Sequence, residues 1–152
     1  MPQPITVLIA DRERKRAATC VDLLRRARGI RLIGTVATVR EAVAGAERQP
    51  DILLLDLNMM ADSDLAAVPL VRARSPRTHV ILLTGRAAES EILDAISHGA
   101  RGYLGAVVLR RFLTKAVRAV RGGETWVSRS MVAKLIDRLA DLSGGSLQPR
   151  AV

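Results

Sequence analysis

Asp51-Ile52-Leu53-Leu54-Leu55-Asp56 decides how this chain folds. Four consecutive apolar residues between turn signals read as a strand buried on both faces, the pattern of a parallel sheet. The carboxylate closing the run falls at the strand's carboxyl end, where open α/β sheets place their ligand sites. Two other apolar runs stop the same way, residues 7–10 at Asp11 and residues 80–83 at Thr84. Two carboxylates and a hydroxyl therefore converge at one predicted edge. That is the outline of a phosphoryl-accepting site.

Working outward, strand and helix patterns alternate along the chain. A strand over 5–10 leads to a helix with Ala17, Cys20, Val21, Leu24 and Ala27 at helical spacing, stopped near Gly29. A second strand covers 31–36, and Thr38-Val-Arg-Glu41 has the capping-box pattern that opens a helix to about Gln49. After the central strand, Pro69 interrupts a helical pattern over 64–74. Its ring is tolerated only in a first turn, so the helix either begins late, near Val68, or kinks. A strand over 80–84, a helix over 88–98, a short strand over 101–104 and a helix over 108–121 complete the series. Five βα units with short connections predict a five-stranded parallel sheet wound on both sides. Residues 130–142 form a further amphipathic helix with Met131, Val132, Leu135, Ile136, Leu139 and Leu142 on one side, followed by a flexible Ser143-Gly-Gly-Ser146 linker.

These pieces together resemble a response-regulator receiver domain of two-component signalling, of the NarL/FixJ type attached to LuxR-type DNA-binding domains. The resemblance rests on Ile5-Thr-Val-Leu-Ile-Ala-Asp11, Pro50-Asp-Ile-Leu-Leu-Leu-Asp-Leu-Asn-Met59, Val80-Ile-Leu-Leu-Thr84 and Gly99-Ala-Arg-Gly-Tyr-Leu104, in the family's order from about residue 5 to 127. It implies a flavodoxin-like fold with strand order 2-1-3-4-5. It also implies a receiver over 1–127, and over 128–152 a linker helix and the start of a truncated helix-turn-helix domain, since Leu147-Gln-Pro-Arg150 resembles that domain's opening.

By the same resemblance Asp56 is the phosphoacceptor, Asp11, Asp56 and the Asn58 carbonyl hold Mg²⁺, Thr84 bonds a phosphoryl oxygen, and Tyr103 is the aromatic that turns inward as Thr84 moves. Two family parts are absent. The second acid after the first strand is Arg12, and the lysine after the fifth strand is Ala106. The loop after the acceptor, Met59-Met-Ala-Asp-Ser-Asp64, also departs from the family pattern, beginning at Met60. Exchanging an acid for a guanidinium moves the local charge two units positive and weakens a divalent cation there by several kcal/mol, even at an effective dielectric of about 20. Arg12 is expected to pair with Asp11 or Asp56 and substitute for the cation. Asp62 and Asp64 read as solvated loop acids. His98 reads as a surface helix cap, Cys20 as core, and Trp126 as a packing residue that fixes the last helix.

With 152 residues and 49% hydrophobic content, the chain supports one full core, an aliphatic one given 2% aromatics. It has no membrane-length apolar stretch and no leader before the first strand, and one cysteine cannot form an internal disulfide. A cytoplasmic protein is expected. Net charge is +9, with seven basic residues against Glu124 alone from Arg101 to Arg129, read as a solvated face since no aromatic platform accompanies it. The leading reading is a non-enzymatic regulatory receiver that controls dimerisation and DNA binding of an attached helix-turn-helix domain. Phosphorylation at Asp56 is weak or absent in it, and Mg²⁺ binding is weakened. Its expected partners are a second copy and an upstream histidine kinase, with DNA contacted only through the C-terminal domain and no membrane. One alternative is a receiver that accepts phosphoryl from a histidine kinase at Asp56 with Mg²⁺. Another is a flavodoxin-like cofactor binder, against which Asp11-Arg-Glu-Arg14 offers no glycine-rich phosphate cradle.

Overall fold

The computed structural model describes residues 3–86 and 88–147, the last four as backbone only. Five strands, β1 (Ile5–Ala10), β2 (Ile30–Val36), β3 (Ile52–Asp56), β4 (His79–Thr84) and β5 (Gly102–Gly105), form one parallel sheet in the order β2-β1-β3-β4-β5. The predicted topology is therefore observed. All five residues of β3 are buried, as its unbroken apolar run requires. Register aligns Ala10 with Leu55, Asp56 with Leu83 and Thr84 with Gly105, which brings Asp11, Asp56 and Thr84 to one edge.

Strand alternation divides the interior into two layers. Leu8, Leu53, Leu55, Val80 and Leu82 face α2 (Val39–Gly45), α4 (Ala67–Arg74) and α5 (Glu89–Ser97). Val7, Ile9, Leu54, Ile81 and Leu83 face α1 (Arg14–Arg26) and α6 (Leu109–Arg121). Cys20 lies in this second layer as expected, and burial pushes its thiol up to about 12. The capping box forms, with Thr38 Oγ1 accepting from the Glu41 amide at 3.1 Å and Glu41 reaching back to the Thr38 hydroxyl at 3.0 Å. That helix is shorter than expected: α2 ends at Gly45, and a 3₁₀ turn over Ala46–Arg48 leads to Gln49 in the left-handed region.

Pro69 acts by delaying a helix. A short α3 (Leu57–Ala61) follows β3 directly, and α4 begins at Ala67, so Pro69 stands in its first turn, where no amide is needed. His98 caps α5, with its ring Nδ1 2.7 Å from the Asp94 carbonyl. Trp126 corrects one expectation. It forms a single parallel bridge to Gly102 and packs on Phe112 at 5.9 Å, so it anchors the segment before the last helix rather than the helix itself. A Cβ on Gly102 would lie 2.8 Å from the Trp126 Cβ, which is why only glycine fits there.

The last helix, α7, spans Arg129–Leu147 and docks by one edge. Met131 is buried and Leu135 partly so, while Lys134 pairs with Glu89 and Arg138 bonds Ser97 at 3.5 Å on α5. Val132, Ile136, Leu139 and Leu142 stay exposed, rising from 40% to 72% along the helix. The expected linker is also corrected, because the backbone stays helical through Ser143-Gly-Gly-Ser146. Extending an existing helix through a glycine costs only about 1 kcal/mol relative to alanine, without the penalty of a new nucleus. Of the expected helix-turn-helix opening, residues 148–150 lie outside the described residues. No described helix is long and apolar enough to cross a membrane.

At the sheet's opposite edge, Asp51 is buried just before β3. It accepts from the Thr6 amide at 2.9 Å and hydroxyl at 3.1 Å, and pairs with Arg77 and with Arg121 at 3.2 Å.

Candidate functional site

β1 and β3 deliver two carboxylates to one point, and α1 meets them with a guanidinium. Asp11 and Asp56 are 5% and 3% exposed. Arg16 binds Asp11 bidentately, Nε to Oδ2 at 2.7 Å and Nη2 to Oδ1 at 2.9 Å, and the same Nη2 lies 3.1 Å from Asp56 Oδ1. Glu13 adds a third, more exposed carboxylate 3.4 Å from Nη1. Asp56 also caps α3, since its Oδ1 accepts from the amides of Asn58 at 3.0 Å and Met59 at 3.2 Å, while Oδ2 accepts from the Arg12 amide at 3.2 Å. Thr84 is buried at the end of β4. A Cβ on the next residue, Gly85, would stand 3.5 Å from Arg16 Nη1, so the guanidinium lies beside the β4–α5 loop.

Burial pushes the Asp11 carboxyl above its ordinary value. The hydrogen bonds from Arg16 and the Glu13 amide pull the other way, and the neighbouring Asp56 charge adds to the rise. Burial would lower the Arg16 guanidinium, but its bonds to Asp11 and the fields of Asp11, Asp56 and Glu13 outweigh it. The buried set thus holds two acids against one cation. Among the described residues no buried side-chain nitrogen or oxygen lacks a hydrogen-bond partner.

The model of the response regulator receiver domain matches residues 7–118. The chain belongs to this receiver family. The transcriptional regulatory protein MctR of Rhizobium johnstonii is 27% identical over 122 residues, covering 80% of this chain and 57% of MctR. The oxygen regulatory protein NreC of Staphylococcus epidermidis is 31% identical over 113 residues, covering 71% and 52%. The chain therefore spans about half the length of the curated relatives it matches. Among solved structures, a LuxR-family two-component response regulator from Aurantimonas has a TM-score of 0.76 at 19% identity, covering 91% of this chain and 99% of that one. The signal receiver domain of NarL from Mycobacterium tuberculosis has a TM-score of 0.73 at 22% identity, covering 81% and 100%. Both solved structures share the receiver fold with this chain.

Not every residue expected from the receiver pattern meets at the edge. Asp11, Asp56 and Thr84 do. Arg12 does not, which corrects the expectation that it would pair with Asp11 or Asp56. Only its amide touches Asp56, and its side chain turns out to Asp62 at 2.8 Å, with 53% and 64% of the two side chains exposed. Asp62 is the solvated loop acid expected, and it pairs with Arg12 at the surface. The reason is the turn at Asp11, whose Oδ1 accepts from the Glu13 amide at 2.8 Å and aims residue 12 at solvent. Tyr103 lies partly buried, with its hydroxyl bonded outward to Ser128 at 3.3 Å. Met60 lines an apolar cleft of about 260 Å³ with Leu57 and Pro69, apart from the carboxylates. Ala106 lines a cleft of about 220 Å³ together with Arg16.

Arg16 is the member of this buried cluster that the sequence pattern did not single out. The signal was present, because Arg16, Cys20 and Leu24 recur every four residues and are the buried positions of α1. A charge on the apolar stripe of a helix needs a buried partner, and Asp11 and Asp56 supply it.

Receivers bind Mg²⁺ at the phosphorylation site, and hard carboxylate oxygens suit that ion. The residues as arranged do not fit it. Each oxygen of Asp11 and Asp56 already accepts a hydrogen bond, those on Asp11 including two from Arg16. The Asn58 carbonyl accepts from the Asp62 amide at 3.1 Å along α3. Among the described residues no group of three or more His, Cys, Asp or Glu is arranged to hold a metal.

Proposed function

We propose that this chain is the signal-receiving domain of a transcriptional regulator, that it controls dimerisation and DNA binding of an attached helix-turn-helix domain, and that it does so with weak or no phosphorylation at Asp56. The carrying observation is the state of Asp56: both oxygens accept hydrogen bonds, a guanidinium pairs with it, and position 106 is alanine. Phosphoryl transfer to a carboxylate depends on positioned cations that stabilise the transferring group. Arg12 points away and Ala106 carries no charge, so two parts of that clamp are missing.

Intact mass after incubation with acetyl phosphate and Mg²⁺ tests this reading against a competent receiver. The expected result is little or no phosphoryl adduct. Arg12→Asp with Ala106→Lys should gain more adduct than either change alone. The competing reading, a receiver that takes phosphoryl from a histidine kinase at Asp56, is supported by the shared edge of Asp56 and Thr84. It prevails if the unmodified protein is phosphorylated as readily as a competent receiver and loses the adduct on Asp56→Asn.

The proposed dimer uses the exposed stripe of α7. Val132, Ile136, Leu139 and Leu142 lie at helical spacing and face away from the receiver core. Light scattering should show self-association at micromolar concentration that Ile136→Asp with Leu139→Asp weakens at least tenfold. Monomer alone at high micromolar concentration would exclude this interface. DNA contact is assigned to the attached domain, and Mg²⁺ to at most a weak role.

A further inference from the structure

We propose that Arg16 is the resident cation of this receiver: its guanidinium fills the place of a divalent metal between Asp11 and Asp56, so the native protein excludes Mg²⁺ and needs none. The inference deepens the preceding reading of the site. A guanidinium carries one charge in a planar fork and satisfies two carboxylates only if both lie in reach of that fork. Here they do, with Nε and Nη2 on Asp11 and Nη2 also on Asp56 at 3.1 Å. All three side chains are nearly inaccessible, at 6% exposure for Arg16, 0% for Asp11 and 4% for Asp56. A metal entering this point would meet the guanidinium at contact distance, and like charges there repel strongly at any dielectric appropriate to a buried site.

The alternative role for Arg16 is a plain structural ion pair. The two roles differ in one respect. Removing a structural pair destabilises the protein whatever the solvent contains. Removing a resident cation leaves Asp11, Asp56 and the nearby Glu13 as a cluster of uncompensated acids, and a divalent cation then replaces what was lost. Glu13 is well placed for this, since its carboxylate already reaches the same guanidinium.

The test uses the full chain without any phosphoryl donor. Thermal unfolding and Mn²⁺ or Mg²⁺ titration calorimetry are run on the unmodified protein, Arg16→Met and Arg16→Lys, in EDTA and in millimolar metal. The unmodified protein should show no metal-dependent shift. Arg16→Met should melt lower in EDTA, recover with metal, and bind the ion at least tenfold more tightly than the unmodified protein. Arg16→Lys keeps a charge without the fork and should show a smaller gain, so the result does not depend on Arg16→Met folding. Adding Asp11→Asn to either variant should abolish the gain. The proposal is overturned if the unmodified protein binds the metal as tightly as the variants, if neither variant responds to metal, or if the gain survives Asp11→Asn. None of these results reports on phosphorylation, which the acetyl phosphate experiment reads separately.

Discussion

The two edges of the sheet use the same residue types to opposite effect. At the amino-terminal edge, one buried carboxylate, Asp51, faces two guanidinium groups, Arg77 and Arg121, plus the amide and hydroxyl of Thr6. Burial raises the Asp51 carboxyl, but these donors outweigh it and hold the group below its ordinary value. At the carboxyl-terminal edge, two buried carboxylates share one guanidinium, and Asp11 is held above its ordinary value. An excess of donors makes a staple. An excess of acceptors makes a site, because the two carboxylates there depend on a single buried cation, Arg16, that water cannot replace. Exposure sharpens the contrast, since Arg77 and Arg121 are about half exposed whereas Arg16 is buried.

Removing the staple should have the larger effect on stability. Asp51→Ala leaves the Thr6 amide and hydroxyl without their acceptor, whereas Arg77 and Arg121 can return to water. A loss of about 2–3 kcal/mol is expected, read as a lower urea midpoint. Asp56→Asn should cost much less, within about 1 kcal/mol of the unmodified protein. The amide oxygen can still cap α3, only the half-buried Arg12 amide loses its acceptor, and one of the two acids competing for Arg16 is gone. If Asp56→Asn proved as damaging as Asp51→Ala, the upper cluster would be a second staple and the contrast would fail.

How much of this could be read from the chain differs between scaffold and site. The sheet was legible because the apolar run ending at Asp56, and those ending at Asp11 and Thr84, carry both strand and edge in their residue order. Helix α6 was legible from its stripe of Leu109, Leu113, Ala116, Val117 and Val120. Helix α3 was not, since five residues carry no period and its cap is the same Asp56 that the receiver pattern assigns to phosphoryl transfer. The burial pattern of α7 was not legible either. Its six apolar residues share one broad side, but only pairing of Lys134 and Arg138 with α5 decides which edge is covered. In the site, sequence position placed Asp11, Asp56 and Thr84 correctly and chose the wrong arginine. Charge alone made Arg12 the cation beside Asp11. Direction decides otherwise, because the chain turns outward at residue 12 and returns one helical turn later with Arg16 on the buried face.

The smallest expected effect is the most specific, a pH dependence whose sign differs between the edges. Asp11 has a folded value above its ordinary 3.8, so between 3.8 and that raised value the native state holds more protons than the unfolded chain. Stability therefore rises as pH falls through this window. Asp51 has a folded value below 3.8, so its contribution is fully present above 3.8 and is lost as pH falls further. His79 adds a separate loss below 6.5, because burial and the fields of Arg101 and Arg121 hold its imidazole neutral in the fold. Differences between variants isolate each group from that background. Relative to Asp11→Asn, the unmodified protein should gain stability on acidification toward 3.8. Relative to Asp51→Asn, it should lose its advantage below 3.8. Urea midpoints across this range measure both slopes. If both differences carried the same sign, Asp11 would be as well compensated as Asp51, and the upper edge would be a second staple.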